Sequence, residues 1–143
     1  MTDTETTEAI RFTADVVCIR GGDVLLIERG WPPHKGRLAL PGGHVDDETS
    51  RAAAARELLE ETSVHVDPEA LALVGVYDRP DRDPRGRYVT AAYVVTVPAG
   101  TAARAGTDAA AVRWVPLDDA LAGDLAFDHS EIVRAARRQL IAR

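Results

Sequence analysis

Pro41-Gly42-Gly43-His44-Val45-Asp46-Asp47-Glu48, continued by Thr49-Ser50-Arg51-Ala52-Ala53-Ala54-Ala55-Arg56-Glu57-Leu58-Leu59-Glu60-Glu61-Thr62, is the stretch on which the fold turns. Its second part is rich in Ala, Leu, Glu and Arg, all strong helix formers, and Thr49 or Ser50 is placed to cap the start, so a helix is expected over 49–62. Pro41-Gly42-Gly43 reads as a turn in which two residues tolerate positive φ and let another group approach the backbone closely. On the helix, Glu57, Glu60 and Glu61 are spaced i, i+3, i+4, which places them within an arc of about 100°. Ala52, Ala55 and Leu59 fall on the opposite side and are expected to pack on a sheet, leaving the acidic face to a cleft. Like charges at these spacings cost roughly 0.2–0.5 kcal/mol per pair in an isolated helix, and no Lys lies in the segment to relieve them. A hard divalent cation would, since Mg²⁺ prefers carboxylate and water oxygens. A solvated acidic face is the commoner meaning of such a pattern; what favours an ion is the glycine turn just before the helix, whose exposed carbonyl could converge on it with the carboxylates. Arg56 reaches Glu60 at i+4 and Glu48 in the preceding loop, a structural role that positions the acidic face.

Working outward, Phe12 to Arg20 and Asp23 to Arg29 are apolar runs joined by Gly21-Gly22, a hairpin signal. Gly30 to Gly36, with adjacent prolines, reads as a long loop, and Arg37 to Leu40 as a short strand entering the glycine turn. After the helix come strands at Leu71 to Tyr77, Arg87 to Val97 and Ala111 to Val115, then a helix from about Ser130 to Ile141. Mixed strands between two helices far apart in sequence predict an α/β/α sandwich with a mixed sheet. The 143 residues suffice for one domain with a real core, and residues 1–10 read as a tail.

The 45% hydrophobic and 28% charged composition excludes disorder, collagen and coiled coil, and the single Cys18, read as core, excludes a disulfide framework. A formal charge of -6 argues against nucleic-acid binding. No run is long and apolar enough for a membrane helix, and the polar, acidic start is unlike a secretory signal, so a cytoplasmic address is expected.

Gly42-Gly43-His44-Val45-Asp46-Asp47-Glu48, seven residues, then Arg56-Glu57-Leu58-Leu59-Glu60-Glu61-Thr62-Ser63-Val64 closely resembles the signature box of the Nudix hydrolases. The resemblance implies a Nudix-type α/β/α fold and Mg²⁺- or Mn²⁺-dependent hydrolysis of a nucleoside diphosphate linked to another group, X. It implies metal ligation by Glu57, Glu60, Glu61 and the Gly43 carbonyl, catalytic roles for Glu57 and Glu61, and Glu48 with Arg56 as the positioning pair. Ser63 stands where the family usually has Gly, in a left-handed cap that costs a non-Gly residue ~1 kcal/mol. The Gly43-to-Glu48 spacing is one residue shorter than in many members, so the metal loop is expected to be tightened. His34-Lys35-Gly36-Arg37, the loop Arg82-Asp83-Pro84-Arg85-Gly86-Arg87 and Leu125-Ala126-Phe127-Asp128-His129 resemble the ADP-ribose pyrophosphatase-like branch, which includes domains of regulators of NAD metabolism.

The leading expectation is therefore hydrolysis of ADP-ribose to AMP and ribose 5-phosphate. The alternatives are a MutT-like hydrolase of free or modified nucleoside triphosphates and a catalytically weak nucleotide-sugar sensor, which would need a separate DNA-binding partner. Arg37, Arg82 and Arg87 are candidates for phosphate or ribose contact, and Trp31 for base stacking. The solvated alternative pairs the loop arginines with Asp78, Asp81 and Asp83. The base is either Glu57 or a downstream acid, for which Asp124 and Asp128 are the only substitutes near the matching motif. His129, beside Asp128, is the histidine most worth testing. Ala102 to Ala111 reads as a surface loop without chemistry. A homodimer is expected, as members of the superfamily commonly dimerise.

Overall fold

A computed structural model describes residues 8–106 and 109–142. In chain order the elements are β1 (Arg11–Arg20), β2 (Asp23–Arg29), β3 (Leu38–Ala39), β4 (Gly42–His44), α1 (Ser50–Thr62), β5 (Ala72–Tyr77), β6 (Tyr88–Thr96), β7 (Ala109–Pro116), α2 (Leu117–Ala122) and α3 (His129–Ile141). A 3₁₀ turn at Pro68–Ala70 joins α1 to β5. Residues 1–7 of the expected tail lie outside the described residues, and 8–10 are exposed and irregular.

One mixed sheet contains every strand. β1 and β6 run parallel from Arg11↔Tyr88 to Ile19↔Thr96, and the remaining pairs are antiparallel. The two-residue period of a strand sorts the core into two layers. Ala14, Val16 and Cys18 of β1, with Ala91, Tyr93 and Val95 of β6, pack on α1. Val17 and Ile19, with Ala92 and Val94, pack on α2 and α3 through Ala120, Ile132, Val133 and Ala136. The result is the sandwich expected from the sequence. Cys18 is core, as read, and burial pushes its thiol up to about 12.

Thr49 caps α1, its hydroxyl accepting from the Ala52 N–H at 3.1 Å. The buried stripe of α1 is Ala53, Ala54, Ala55, Leu58 and Thr62, whereas Leu59 is 43% exposed. This corrects the expected Ala52, Ala55, Leu59 face. The stripe centres on Leu58, and at about 100° per residue Glu57 and Glu61 then lie on its border while Glu60 points away. Alanine explains the shift: four in a row are compatible with either face, so Leu58 rather than Leu59 decides which is buried. Ser63 ends the helix with φ 65°, in the left-handed conformation anticipated for that position.

β1 and β2 pair only at Ile19↔Val24 and Arg20↔Asp23. Beyond that they part, and the segment from β3 to β4 fills the gap. β3 pairs with β2 at Ile27↔Ala39, and β4 with β1 at Ala14↔Gly43 and Asp15↔Gly42. Gly42 and Gly43 are therefore strand residues, and neither has positive φ, contrary to the expected turn. Glycine is required there for space. A Cβ on Gly42 would collide with the Asp15 carboxylate and the Ala14 carbonyl, and one on Gly43 with the Glu57 carboxylate. Two further departures are small. α2 was not anticipated, since six residues carry too little periodicity to read. β7 begins at Ala109, inside the expected surface loop. No helix among the described residues is long and apolar enough to cross a membrane.

Candidate active site

The site lies where the β3–β4 segment passes α1. The Gly42 N–H donates to Glu61 Oε1 at 2.7 Å, and the bare Cα of Gly43 faces the Glu57 carboxylate. Arg56 organises the acidic side of the helix. Its guanidinium donates to Glu48 at 2.6 and 3.0 Å, to Glu57 at 3.0 Å, to Glu60 at 3.2 Å and to the His44 carbonyl at 3.0 Å. The bonds from Arg56 hold the Glu48 carboxyl below the usual glutamate range, and those from Glu48, first, raise the guanidinium above its ordinary value. Behind α1, the 101–106 segment closes the helix end: the Arg104 and Gly106 N–H groups donate to the Thr62 and Glu61 carbonyls at 2.8 and 2.9 Å. The loop read as featureless thus satisfies the last turn of the acidic helix.

A cavity of about 210 Å³ opens beside Gly42, Gly43 and Glu61. Its wall carries Arg29 and Arg85, whose guanidinium carbons stand 4.9 and 5.6 Å from the Phe127 ring centroid. Arg29 donates to the carbonyls of Pro33 at 2.7 Å and Trp31 at 3.4 Å; burial, then the nearby Arg85, lowers its pKa. Arg85 is fixed by two bonds to Asp83, at 2.7 and 3.0 Å. Those bonds outweigh burial and hold Asp83 below its ordinary value. Phe127 and His34, both with positive φ, meet edge to face at 4.9 Å on the rim. The floor is buried and polar: Thr90 donates to Asp15 at 2.8 Å, and the Leu40 N–H donates to His129 Nδ1 at 2.9 Å. Burial lowers the His129 pKa, keeping the imidazole neutral. A linked smaller cavity of about 140 Å³ is lined by Ile27, Arg29, Gly30, Trp31 and Glu61.

The NUDIX domain profile matches residues 10–136. The chain belongs to the NUDIX domain family. It is 39% identical over 121 residues to the "ADP-ribose pyrophosphatase" of Methanocaldococcus jannaschii, across 84% of this chain and 69% of that protein. It is 38% identical to the "ADPR responsive transcriptional repressor NtrR" of Acinetobacter baylyi over 82% of this chain, and spans only 47% of that repressor. Among solved structures, the NUDIX domain of Shewanella oneidensis NrtR, complexed with ADP ribose, superposes with a TM-score of 0.86 at 31% identity, covering 97% of this chain and 94% of that one. The protein is thus a Nudix hydrolase, and enzymes of this family generally use divalent metals.

The Nudix residues present fit such an ion. Their donors are hard oxygens, the carboxylates of Glu57 and Glu61, and the strand presses the Gly43 backbone onto Glu57 so closely that a Cβ would fill the space. Among the described residues no three His, Cys, Asp or Glu side chains are already drawn into a metal cage; Arg56 stands between the carboxylates instead. Glu60, with a side chain 55% exposed against 15% for Glu57, faces Arg56 and solvent.

Of the other anticipated Nudix site residues, Trp31 is 70% exposed and borders the smaller cavity next to Glu61. Arg82 borders the main cavity, but its guanidinium is taken by Asp128 through two bonds of 2.6 and 2.9 Å, with both side chains 4% exposed. Burial alone would lower the Arg82 pKa; the Asp128 bonds raise it. Arg37 pairs on the surface with Asp124 at 3.2 Å and does not line either cavity. Arg87 stands away as well, its Nη1 buried without a hydrogen-bond partner. Neither downstream acid is placed as a base, since Asp128 is committed to Arg82 and Asp124 to Arg37. Sequence reading missed Arg29, Asp15 and Phe127, and passed over Arg85 within its own loop. Arg29 ends an apolar strand and Asp15 interrupts one, which is the signal that each carried.

Proposed function

We propose that this Nudix hydrolase cleaves the diphosphate of ADP-ribose to AMP and ribose 5-phosphate, with Mg²⁺ or Mn²⁺ held by Glu57, Glu61 and the Gly43 carbonyl and supported by Glu60. Such a cation, when bound, neutralises the diphosphate and acidifies the attacking water. The chain's own residues do the rest. Arg56 keeps Glu48, Glu57 and Glu60 oriented, and the Gly42 N–H sets Glu61. Arg29 and Arg85 meet phosphate oxygens from the facing wall through charge-assisted hydrogen bonds. Trp31 offers its exposed face to the base. The water oxygen bonds to one phosphorus, its proton passes to Glu57, and the anhydride P–O bond breaks, releasing one phosphate monoester from each side.

What supports this reading is the juxtaposition of two guanidinium groups with Glu61 across one small cavity, together with the Methanocaldococcus jannaschii relative and the ADP-ribose-bound neighbour. The test is phosphatase-coupled phosphate release with Mg²⁺ from ADP-ribose, nucleoside triphosphates and dinucleotides. ADP-ribose should turn over best, and Glu61→Gln should lower kcat/KM by about 10²–10³, the scale for losing a group that stabilises transition-state charge. Preferred turnover of a triphosphate would give the MutT-like alternative instead. The 38% identity to a repressor favours a second reading, nucleotide-sugar sensing. It takes over if nothing turns over while ADP-ribose raises the Tm. We place the working protein in the cytoplasm as a homodimer, an assembly that light scattering will report.

A further inference from the structure

We infer that Asp15 recognises the vicinal hydroxyls of a ribose ring seated in the main cavity, an assignment that rests on the proposed function and specifies X as a cis-diol sugar. Asp15 sits in the middle of β1 between Ala14 and Val16, both fully buried. A carboxylate at such a position is costly unless it is bonded or paired. Its partners here are few. Oδ2 accepts from the Thr90 hydroxyl at 2.8 Å. The His129 Nε2 lies 3.8 Å away, but the imidazole is neutral: Nδ1 is already the acceptor for the Leu40 N–H, so the proton sits on Nε2. The one buried arginine of the floor, Arg82, is consumed by Asp128. Asp15 therefore lines the cavity, its side chain 11% exposed, with Oδ1 beside the Gly42 backbone and Oδ2 shared with Thr90, and its remaining acceptor capacity is open to a ligand.

Carboxyl oxygens with unused acceptor capacity in a cavity call for a hydroxyl donor. Vicinal hydroxyls supply two donors at the spacing of a carboxylate's two oxygens. The same cavity presents Arg29 and Arg85 on its wall and the Asp15 carboxyl at its floor. A sugar phosphate has the matching polarity, hydroxyls at one end and phosphate at the other. The volume of about 210 Å³ lies below the ~300–1,000 Å³ of sites that enclose a drug-sized ligand, which fits the sugar end of a nucleotide sugar and not the whole molecule. Thr90 and His129 act on the ligand only through Asp15 and are positioning residues.

Calorimetric titration of the full chain, with Mg²⁺, by ribose 5-phosphate and by 2-deoxyribose 5-phosphate tests the assignment. The wild type should prefer the ribose compound by about tenfold or more, the ratio expected for one hydrogen bond to a charged acceptor. Asp15→Asn, nearly isosteric, should bring the ratio close to one, and Thr90→Val should reduce it part-way while folding is checked by circular dichroism. Arg29→Gln should weaken both compounds alike and leave the ratio intact. Equal wild-type affinities, or an unchanged ratio in both Asp15→Asn and Thr90→Val, would overturn the assignment. So would an Asp15→Asn effect confined to AMP over inosine monophosphate, which would seat a base amino group there. ADP-ribose turnover is measured on the same samples. Turnover without sugar discrimination sinks the Asp15 role alone, whereas discrimination without turnover sinks the hydrolysis reading and leaves Asp15 as part of a sensor.

Discussion

The acidic face of α1 and the floor of the main cavity both join arginine to carboxylate, yet they do so in opposite ways. On the helix, Arg56 serves Glu48, Glu57 and Glu60 at once, within 13 residues of sequence and in contact with solvent. In the floor, Arg82 and Asp128 form a one-to-one pair across 46 positions, each side chain 4% exposed. Water screens the first network and lets its charges redistribute when a cation or a phosphate arrives. The second is bidentate and has little water, so it locks the loop after β5 to the start of α3. On the proposed function, chemistry belongs to the adjustable region, and the rigid one holds the cavity open beside it.

Breaking each region separately should separate the two roles. Asp128→Asn leaves the Arg82 charge buried without its counter-ion and should lower the unfolding free energy by about 3–5 kcal/mol, read by urea denaturation. Glu48→Gln, in the half-buried network, should lower the urea midpoint by less than Asp128→Asn while lowering kcat. Equal midpoint shifts would erase the distinction drawn here.

Acidity should divide the regions more gently. His129 has a folded pKa below its usual 6.5, so the unfolded chain takes up the proton first. Stability from this group is therefore complete above 6.5 and is lost as pH falls through that value towards the lower folded pKa. Glu48 is also depressed, from 4.5, so its contribution is present above that value and disappears only in more acidic solution. Tm should decline as pH falls below 6.5 because of the floor, and His129→Asn, which keeps an acceptor for the Leu40 N–H, should flatten that decline.

The smallest effect concerns the end of α1. Ser63 holds φ 65° and donates to the Arg104 carbonyl at 3.2 Å. Ser63→Gly should relieve the left-handed strain and stabilise the chain by less than about 1 kcal/mol, since the hydroxyl bond is lost in exchange. A loss of stability in thermal denaturation would show that the bond to the 101–106 segment outweighs the backbone preference.

The helix, its cap, the Arg56 network and the left-handed Ser63 were legible because each depends on residues at most eight positions apart, where helical geometry alone dictates who meets whom. The strands were legible as apolar, β-rich runs bounded by glycine and proline turns, whereas their sorting into two layers came from the fold. The buried face of α1 was misread because four consecutive alanines carry no directional signal. Pro41-Gly42-Gly43 was misread as a turn because glycine's two uses, positive φ and close approach, look the same in sequence. Here the need is closeness, to Asp15 and Glu57.

By itself, then, the sequence determined the sandwich and the acidic helix with its positioning arginine, both consequences of local periodicity and spacing, while the resemblance of the box to the Nudix signature pointed to the family. Only the tertiary structure decided which arginines face the cavity. Arg82 and Arg85 stand three residues apart in one loop, and what separates them is a carboxylate on a distant helix: Asp128 withdraws Arg82 into the floor, while Asp83 holds Arg85 at the wall. Long-range pairing of charges depends on which strands lie side by side and on how much water remains between them. Neither is written in the spacing of residues along the chain.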